Sequence, residues 1–325
     1  MAKLERHLED KTILITGGTG SFGYQMTKRL LKVNDTKIEI FSRDEDKQRI
    51  MKSHFNDDRI KFVLGDIRDY DRVEEALKGI DFVLHAGALK QIPSVEFNPM
   101  EAIKTNTLSA YNIMKASDHN NVEQVIAIST DKACKPTNSY GMSKALMEKI
   151  FMGDDVWSDN TKFGCVRYGN VLGSRGSVLP VWDKLIDDNK PIPITSDKMR
   201  RFFITLEQAT DLVLFASANL TDKEIFVPIA PALLIKDLAS VYAEIKTGKK
   251  KYPQKEIGIR AGEKLDEILI AKEEFDNVVK IKNYYKITKK FRNNKHGLDD
   301  FSSSNTKQLD HKAIHKLIKG ITWQK

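Results

Sequence analysis

The chain has 325 residues, 41% hydrophobic and 30% charged, with a formal net charge of +8. That length supports one large α/β unit or two domains, and the composition is ordinary for a globular protein. No apolar run approaches the roughly 20 residues that span a bilayer, so membrane insertion is not expected.

The N-terminal stretch MAKLERHLEDK has no apolar signal core, and Cys134 and Cys165 lack metal-ligand spacing. A cytoplasmic protein without a metal is therefore expected. Much of the positive excess falls in KTGKKKY and KITKKFRNNK, which read as solvated surface. Zinc-finger spacing and a basic recognition helix are both missing, so no nucleic-acid partner is expected.

In chain order, KTILITGG is a β-branched run ending in glycines and predicts the first strand. SFGYQMTKRLLKV has apolar or small residues at helical spacing and predicts the helix after it. KIEIFS and RIKFVLGD predict the next two strands, and DYDRVEEALKG a helix with an acidic first turn and a glycine stop. DFVLHAGA predicts a fourth strand and NPMEAIKTNTLSAYNIMKAS one long helix. VEQVIAIST, SYGMSKALMEKIFM and TKFGCVRYG predict strand, helix, strand. Such alternation builds βαβ units and so a Rossmann-type, doubly wound parallel sheet of the α/β class. After Asn170 the rhythm loosens, and VLGSRGSVLPVWDKLIDDNKPIPIT carries three prolines. Residues 1–170 are expected to form the cofactor domain. Residues 171–325 are expected to form mainly a smaller, mixed substrate lobe, with some elements returning to the main sheet.

TGGTGSFG places Gly17, Gly20 and Gly23 between the first strand and the first helix. There, Gly17 permits the tight turn, Gly20 lets backbone N–H groups approach a pyrophosphate, and Gly23 allows close packing. Thr19, Ser21 and Phe22 share that loop and are assigned to the cofactor with it. At the end of the second strand, Ser42 and Arg43 come first and Lys47 follows. A hydroxyl and a guanidinium suit a ribose 2′-phosphate, which favours NADP. A small shift of the loop would bring Asp44 to a ribose diol, the NAD alternative.

STDKACKPTNSYGMSK follows the fifth strand, and ligands of open parallel sheets sit at the carboxyl ends of strands. Tyr140 and Lys144 stand one helical turn apart, so an ammonium near the phenol is expected to lower its pKa. Such a tyrosine suits proton removal from a sugar hydroxyl whose carbon gives a hydride to nicotinamide. The spacing alone does not discriminate, since it recurs at Tyr24/Lys28, Tyr111/Lys115, Tyr242/Lys246 and Tyr285/Lys289. Position selects the pair. Asp131 and Lys132 reach one site only if the chain leaves extended geometry, and Pro136 with Asn138 supplies the bend. An acid and an amine beside the tyrosine suggest two further proton transfers.

These residues together resemble the extended short-chain dehydrogenase/reductase superfamily, and within it the UDP-N-acetylglucosamine 4,6-dehydratases. The likeness runs through TGGTGSFG, FSRDEDKQ, STDKACKPTNSYGMSK, RYGNVLGSRGSVLP, MRRFFITLEQA, RAGEKLDEIL and FSSSNTKQL. It implies that Tyr140, supported by Lys144, deprotonates the C4 hydroxyl while NADP, tightly bound and recycled, takes the hydride. Thr130 would hold the C4 oxygen, Lys132 in neutral form would abstract the C5 proton, and Asp131, held protonated, would release C6 oxygen as water. The resemblance places Asp66 and Ile67 at the adenine and Ala86 in the cofactor channel. It places Lys90, Asn170, Arg201, Arg260 and Glu263 at a UDP-sugar.

Arg200, Phe203, Ala261, Asp266, Cys134 and Ser139 depart from the family pattern. The chain resembles the C5-inverting branch more than the retaining one, and relatives form dimers or hexamers. A nucleotide-sugar 4-epimerase is the nearest rival, needing the tyrosine but neither Asp131 nor Lys132. A non-catalytic NADP-binding regulator is a rival of another class, and such proteins tend to lose the Tyr/Lys pair.

Overall fold

A computed structural model describes residues 5–154, 158, 160–289, 299–319 and 321. MAKL at the start, and residues 290–295 of KITKKFRNNK, lie outside the described residues.

The first half alternates: β1 (Thr12–Thr16), α1 (Ser21–Leu30), β2 (Lys37–Ser42), α2 (Glu45–Phe55), β3 (Ile60–Leu64), α3 (Tyr70–Ala76) and β4 (Phe82–His85). α4 (Ile92–Phe97), α5 (Pro99–Ala102), a π-helical turn (Ile103–Leu108) and α6 (Ser109–His119) lead into β5 (Gln124–Ile128). α7 (Ser139–Met152) and β6 (Lys162–Val166) complete it. β7 (Asn170–Val171), α8 (Val178–Asp187), β8 (Ile192–Ile194), β9 (Arg200–Ile204), α9 (Leu206–Asn219), β10 (Glu224–Pro228), β11 (Ala232–Leu234) and α10 (Ile235–Thr247) follow. β12 (Gln254–Glu256), β13 (Ile268–Ile270), β14 (Val278–Ile281), β15 (Tyr284–Ile287), β16 (Phe301–Ser302) and α11 (His311–Ile318) end the fold.

The main sheet has nine strands in the order β14-β15-β10-β6-β5-β4-β1-β2-β3. Its strands from β3 across to β10 pair in parallel, while β15 and β14 close it antiparallel. Helices cover both faces, so all four residues of β4 and four of five in β1 are buried. That is why these strands read as unbroken apolar runs. Three strands from beyond residue 170 thus belong to the main sheet.

A second core, around Leu179, Trp182, Phe203, Leu238 and Tyr242, holds the smaller lobe together. β9 is the wall between the two cores. Phe202 enters the first and Phe203 the second, the alternation of a strand. Arg201 and Phe203 both line the cleft between the lobes. Among the described residues, no helix is long and apolar enough to cross a membrane.

Two local expectations change. The stretch after Ser42 is not a plain loop: Asp44 caps α2, its carboxylate accepting from Lys47 N at 2.9 Å. The long helix expected over NPMEAIKTNTLSAYNIMKAS is broken by the π turn. Inside that turn, the fully buried Asn106 side chain accepts from Leu89 N at 2.8 Å and donates to Leu89 O at 2.9 Å. An extra residue in one turn aims this side chain at the loop after β4, a use typical of π segments.

Candidate active site

The carboxyl ends of β1, β2, β4 and β5 open on a cleft of about 960 Å³, closed on its far side by the smaller lobe. At one end lies the glycine loop. Gly17 has φ +61°, and a Cβ there would come within 2.8 Å of Gly87 Cα, so a side chain is excluded twice over. Gly20 starts α1 with no side-chain cap, leaving its first N–H groups to an anion. Thr19, Ser21 and Phe22 also line the cleft, whereas Gly23 packs on Gly18 and does not.

Ser42 is buried and its Oγ accepts from Gln48 Nε2 at 3.2 Å. Arg43 is exposed, and its guanidinium pairs with Asp66 at 3.4 Å. Asp44 also pairs with Lys47, so its carboxylate is committed to α2 rather than free for a ribose. Ile67 and Ala86 line the cleft, but Asp66 does not. The Asp66 carboxylate faces Arg68 at 2.7 Å. Burial opposes its ionisation, but Arg68 and Arg43 outweigh that and hold it below the usual range.

At the other end, β5 stops at Ile128 and the chain turns into a single 3₁₀ turn, Asp131–Ala133, capped by Thr130. Extended geometry is lost where Asp131 and Lys132 require it. The Lys132 Nζ donates to Asp131 Oδ1 at 2.9 Å, and Thr130 Oγ1 donates to the same oxygen at 3.0 Å. α7 presses its first turn onto this one. A Cβ on Gly141 would lie 2.2 Å from Lys132 O, and Asn138 caps the helix by accepting from Gly141 N at 2.8 Å.

The electrostatics differ from the sequence expectation. Burial holds the Tyr140 phenol above its ordinary pKa, and the groups pulling it back are the Lys132 ammonium and the Thr130 hydroxyl. Lys144 is not that cation. Its Nζ turns to Met147 Sδ at 2.9 Å, and burial brings its pKa down to about 8. Lys132 departs in the opposite sense from a base kept neutral. Burial alone would lower it, but Asp131 and Glu267 outweigh that and keep the ammonium above the usual lysine range. Asp131 is fully buried and has no surface on the cleft, while Thr130, Lys132, Tyr140 and Lys144 do.

Of the residues expected at a substrate, Lys90, Asn170, Arg201, Arg260 and Glu263 all line the cleft. Lys90 Nζ donates to Arg175 O at 3.1 Å, and Asn170 Oδ1 is buried without a hydrogen bond. Arg201 donates through Nη1 to two carbonyls, Arg200 O at 2.7 Å and Leu265 O at 3.0 Å, which fixes its guanidinium in the cleft wall. Arg260 stands exposed at the rim, 4.0 Å from Glu263.

Two residues that sequence reasoning passed over belong here. Arg175 reaches over the glycine loop, its N–H donating to Ser21 Oγ at 2.9 Å and its guanidinium to Thr19 O. Glu267 lines the cleft beside Lys132. Both lie inside stretches that carry the family likeness, SRGSV and RAGEKLDEIL, but nothing in their spacing marks them. Two family departures, Arg200 and Asp266, pair with each other at 3.7 Å. Cys134 is buried, its thiol pushed up to about 12 by burial.

Known proteins share this architecture. A family described as polysaccharide biosynthesis protein matches residues 13–289. A Campylobacter jejuni protein named UDP-N-acetylglucosamine 4,6-dehydratase (inverting) is 46% identical over 86% of this chain and 83% of its own. A Rickettsia bellii protein named UDP-glucose 4-epimerase is 43% identical over 97% of both chains. The crystal structure of Pen from Bacillus thuringiensis superposes with a TM-score of 0.89 at 33% identity, covering 96% of this chain and 98% of that one.

Proposed function

The chain belongs to the polysaccharide biosynthesis protein family, with the extended short-chain dehydrogenase/reductase fold, and from that premise we propose that it is a UDP-N-acetylhexosamine 4,6-dehydratase. UDP-N-acetylglucosamine is the substrate proposed, and a 4-keto-6-deoxy sugar with inverted C5 the product. The observation that carries this is the turn after β5, where an acid and an amine meet beside Tyr140. Oxidation at C4 alone would use the Lys132 ammonium beside the phenol but would need no acid and no C5 base.

The glycine cradle and the uncapped start of α1 fit a dinucleotide pyrophosphate, with Arg175 above them. Exposed Arg43 beside Ser42, with Asp44 tied to α2, fits a 2′-phosphate, so NADP is proposed over NAD. Held there by the glycine loop, Ser42, Arg43 and Arg175, NADP would supply a hydride acceptor for C4 and the hydride for C6.

Tyr140 takes the C4 hydroxyl proton, with Thr130 on the same oxygen and the Lys132 ammonium favouring phenolate. A C4 ketone then acidifies the C5 hydrogen. A charged lysine cannot take it, but the Asp131–Lys132 pair has a second form of equal net charge, with one proton moved onto the carboxylate across 2.9 Å. Asp131 and Glu267 keep Lys132 charged at rest, so the C5 step passes through a minor population of that neutral form. In it, the Lys132 amine takes the C5 proton and the C5–H electrons form the C5–C6 double bond. The C6 oxygen leaves as water with a proton relayed from Asp131 through the Lys132 nitrogen. Reprotonation of C5 from the opposite face inverts it, and the proton held by Tyr140 closes the balance.

A 4-epimerase is the second reading, favoured by the name of the Rickettsia bellii relative. It would leave Asp131 with no part in the chemistry, and Lys132 with none beyond favouring the phenolate. A homo-oligomer is also proposed: Phe97, Met100, Leu108, Met142 and Leu146 are exposed between α4 and α7, apolar surface of the kind a second copy would cover. Incubating the protein with UDP-N-acetylglucosamine in D₂O, followed by mass spectrometry and NMR, tests the reaction. Loss of one water with deuterium at an inverted C5 is expected. A product of unchanged mass, or no product, overturns the dehydratase.

A further inference from the structure

Behind Lys132 stands a carboxylate that the steps above do not use. Glu267 precedes β13, and its side chain is only 3% exposed although it lines the cleft. Its Oε1 lies 3.6 Å from Lys132 Nζ and 3.7 Å from Arg201 Nε. Its Oε2 lies 3.6 Å from Lys264 Nζ and makes no hydrogen bond. One buried carboxylate therefore stands among three cations, at more than hydrogen-bond length from each.

Its backbone is fixed. Glu267 N donates to Ser303 Oγ at 3.0 Å, and Ser303 N donates to Glu267 O at 2.8 Å. Ser303 is itself fully buried, and β16 pairs with β13 alongside. The FSSSN stretch thereby holds Glu267 at the floor of the cleft.

In the neutral form of the Asp131–Lys132 pair, the proton sits on Asp131 and that carboxyl no longer balances a cation. When Lys132 then gains the C5 proton, a buried ammonium appears whose nearest former counter-ion is neutral, a costly state without another anion. The groups facing Lys132 are Asp131, Tyr140, Arg201 and Glu267, with Lys264 behind Glu267. Arg201 is a cation, tied through Nη1 to two carbonyls. Of these groups only Glu267 then offers an anion, and a shift of under about one ångström makes its contact a charge-assisted hydrogen bond.

We propose that Glu267 is a positioning residue for Lys132, a second seat that receives its ammonium as the C5 proton arrives, which keeps the nitrogen aimed and basic. The inference rests on the dehydratase reading.

Glu267→Gln in the full chain with its cofactor is the test, with Glu267→Asp as the conservative variant. Three quantities are measured: reduced nicotinamide formed on adding UDP-N-acetylglucosamine, the rate of water loss, and acetylation of Lys132 by acetic anhydride, quantified by peptide mass spectrometry. In Glu267→Gln, water loss is expected to fall about 10²-fold while reduced nicotinamide accumulates, because the C4 step does not need this carboxylate. Lys132 should acetylate faster near neutral pH, its ammonium having lost an anion, and Glu267→Asp should recover part of both effects. Water loss within about two-fold of the parent overturns the inference, as does an equal fall in both steps with unchanged labelling. If the parent itself releases no water, the dehydratase reading fails separately, and unchanged Lys132 labelling then overturns the role of Glu267 on its own.

Discussion

The two ends of the cleft are built from opposite materials. The glycine loop works by leaving things out: no Cβ at Gly17 and no side-chain cap on α1. The turn after β5 works by packing in what a protein interior ordinarily refuses, with Asp131, Lys132, Glu267 and Lys144 all buried or nearly so. The first end recognises shape, and substitutions there should act through volume. The second depends on charge balance, and isosteric substitutions should be the damaging ones.

The sharpest way to break this contrast is Asp131→Asn, which keeps shape and removes charge. Water loss should fall about 10³-fold, about 4 kcal/mol, while cofactor affinity by fluorescence titration stays unchanged. A fall in cofactor affinity would mean the two ends are not separate.

Lys144→Met should raise stability, because it removes a buried ammonium. The folded value for Lys144, about 8, lies below its usual 10.5, so at pH 7 the buried ammonium costs about 3 kcal/mol that methionine removes. Between those two values the unfolded chain holds a proton that the folded protein lacks, so parent stability rises with pH. The melting-temperature advantage of Lys144→Met should therefore be full below about pH 8 and shrink towards pH 10.5.

Gly17→Val tests the other end by volume alone. A left-handed φ and the overlap with Gly87 should weaken cofactor binding about 10²-fold, without altering Lys132 labelling by acetic anhydride. The smallest effect is expected from Arg43→Ala. Its guanidinium is exposed, so loss of a 2′-phosphate contact should shift NADP against NAD affinity only about 10-fold by titration.

Sequence patterns carried the parallel sheet and the glycine loop because both are local: apolar runs, turn glycines and helical spacing each fall within a dozen residues. STDKACKPTNSYGMSK was legible for the same reason. The partners of Lys132 were not. Glu267 reaches it from a distant segment through pairing of β13 with β16, and no periodicity encodes such a meeting. Burial also reversed the expected electrostatics. Four residues place Lys144 on the face of Tyr140, but only the folded surroundings show its ammonium turned to Met147 and Lys132 as the cation acting on the phenol. The π turn was hidden because the sequence of α5 and α6 is ordinary, and its reason is Asn106 reaching Leu89.

Because β10, β15 and β14 dock beyond β6, the polypeptide cannot be severed at residue 170 into two working pieces. Phe163, Cys165 and Val166 are wholly covered in the intact molecule, and cutting there would bare an apolar strand edge that invites aggregation. The portion facing the sugar is thus no portable cassette. A change of sugar preference must come by replacing side chains along the rim, with the weave of the chain left as it is.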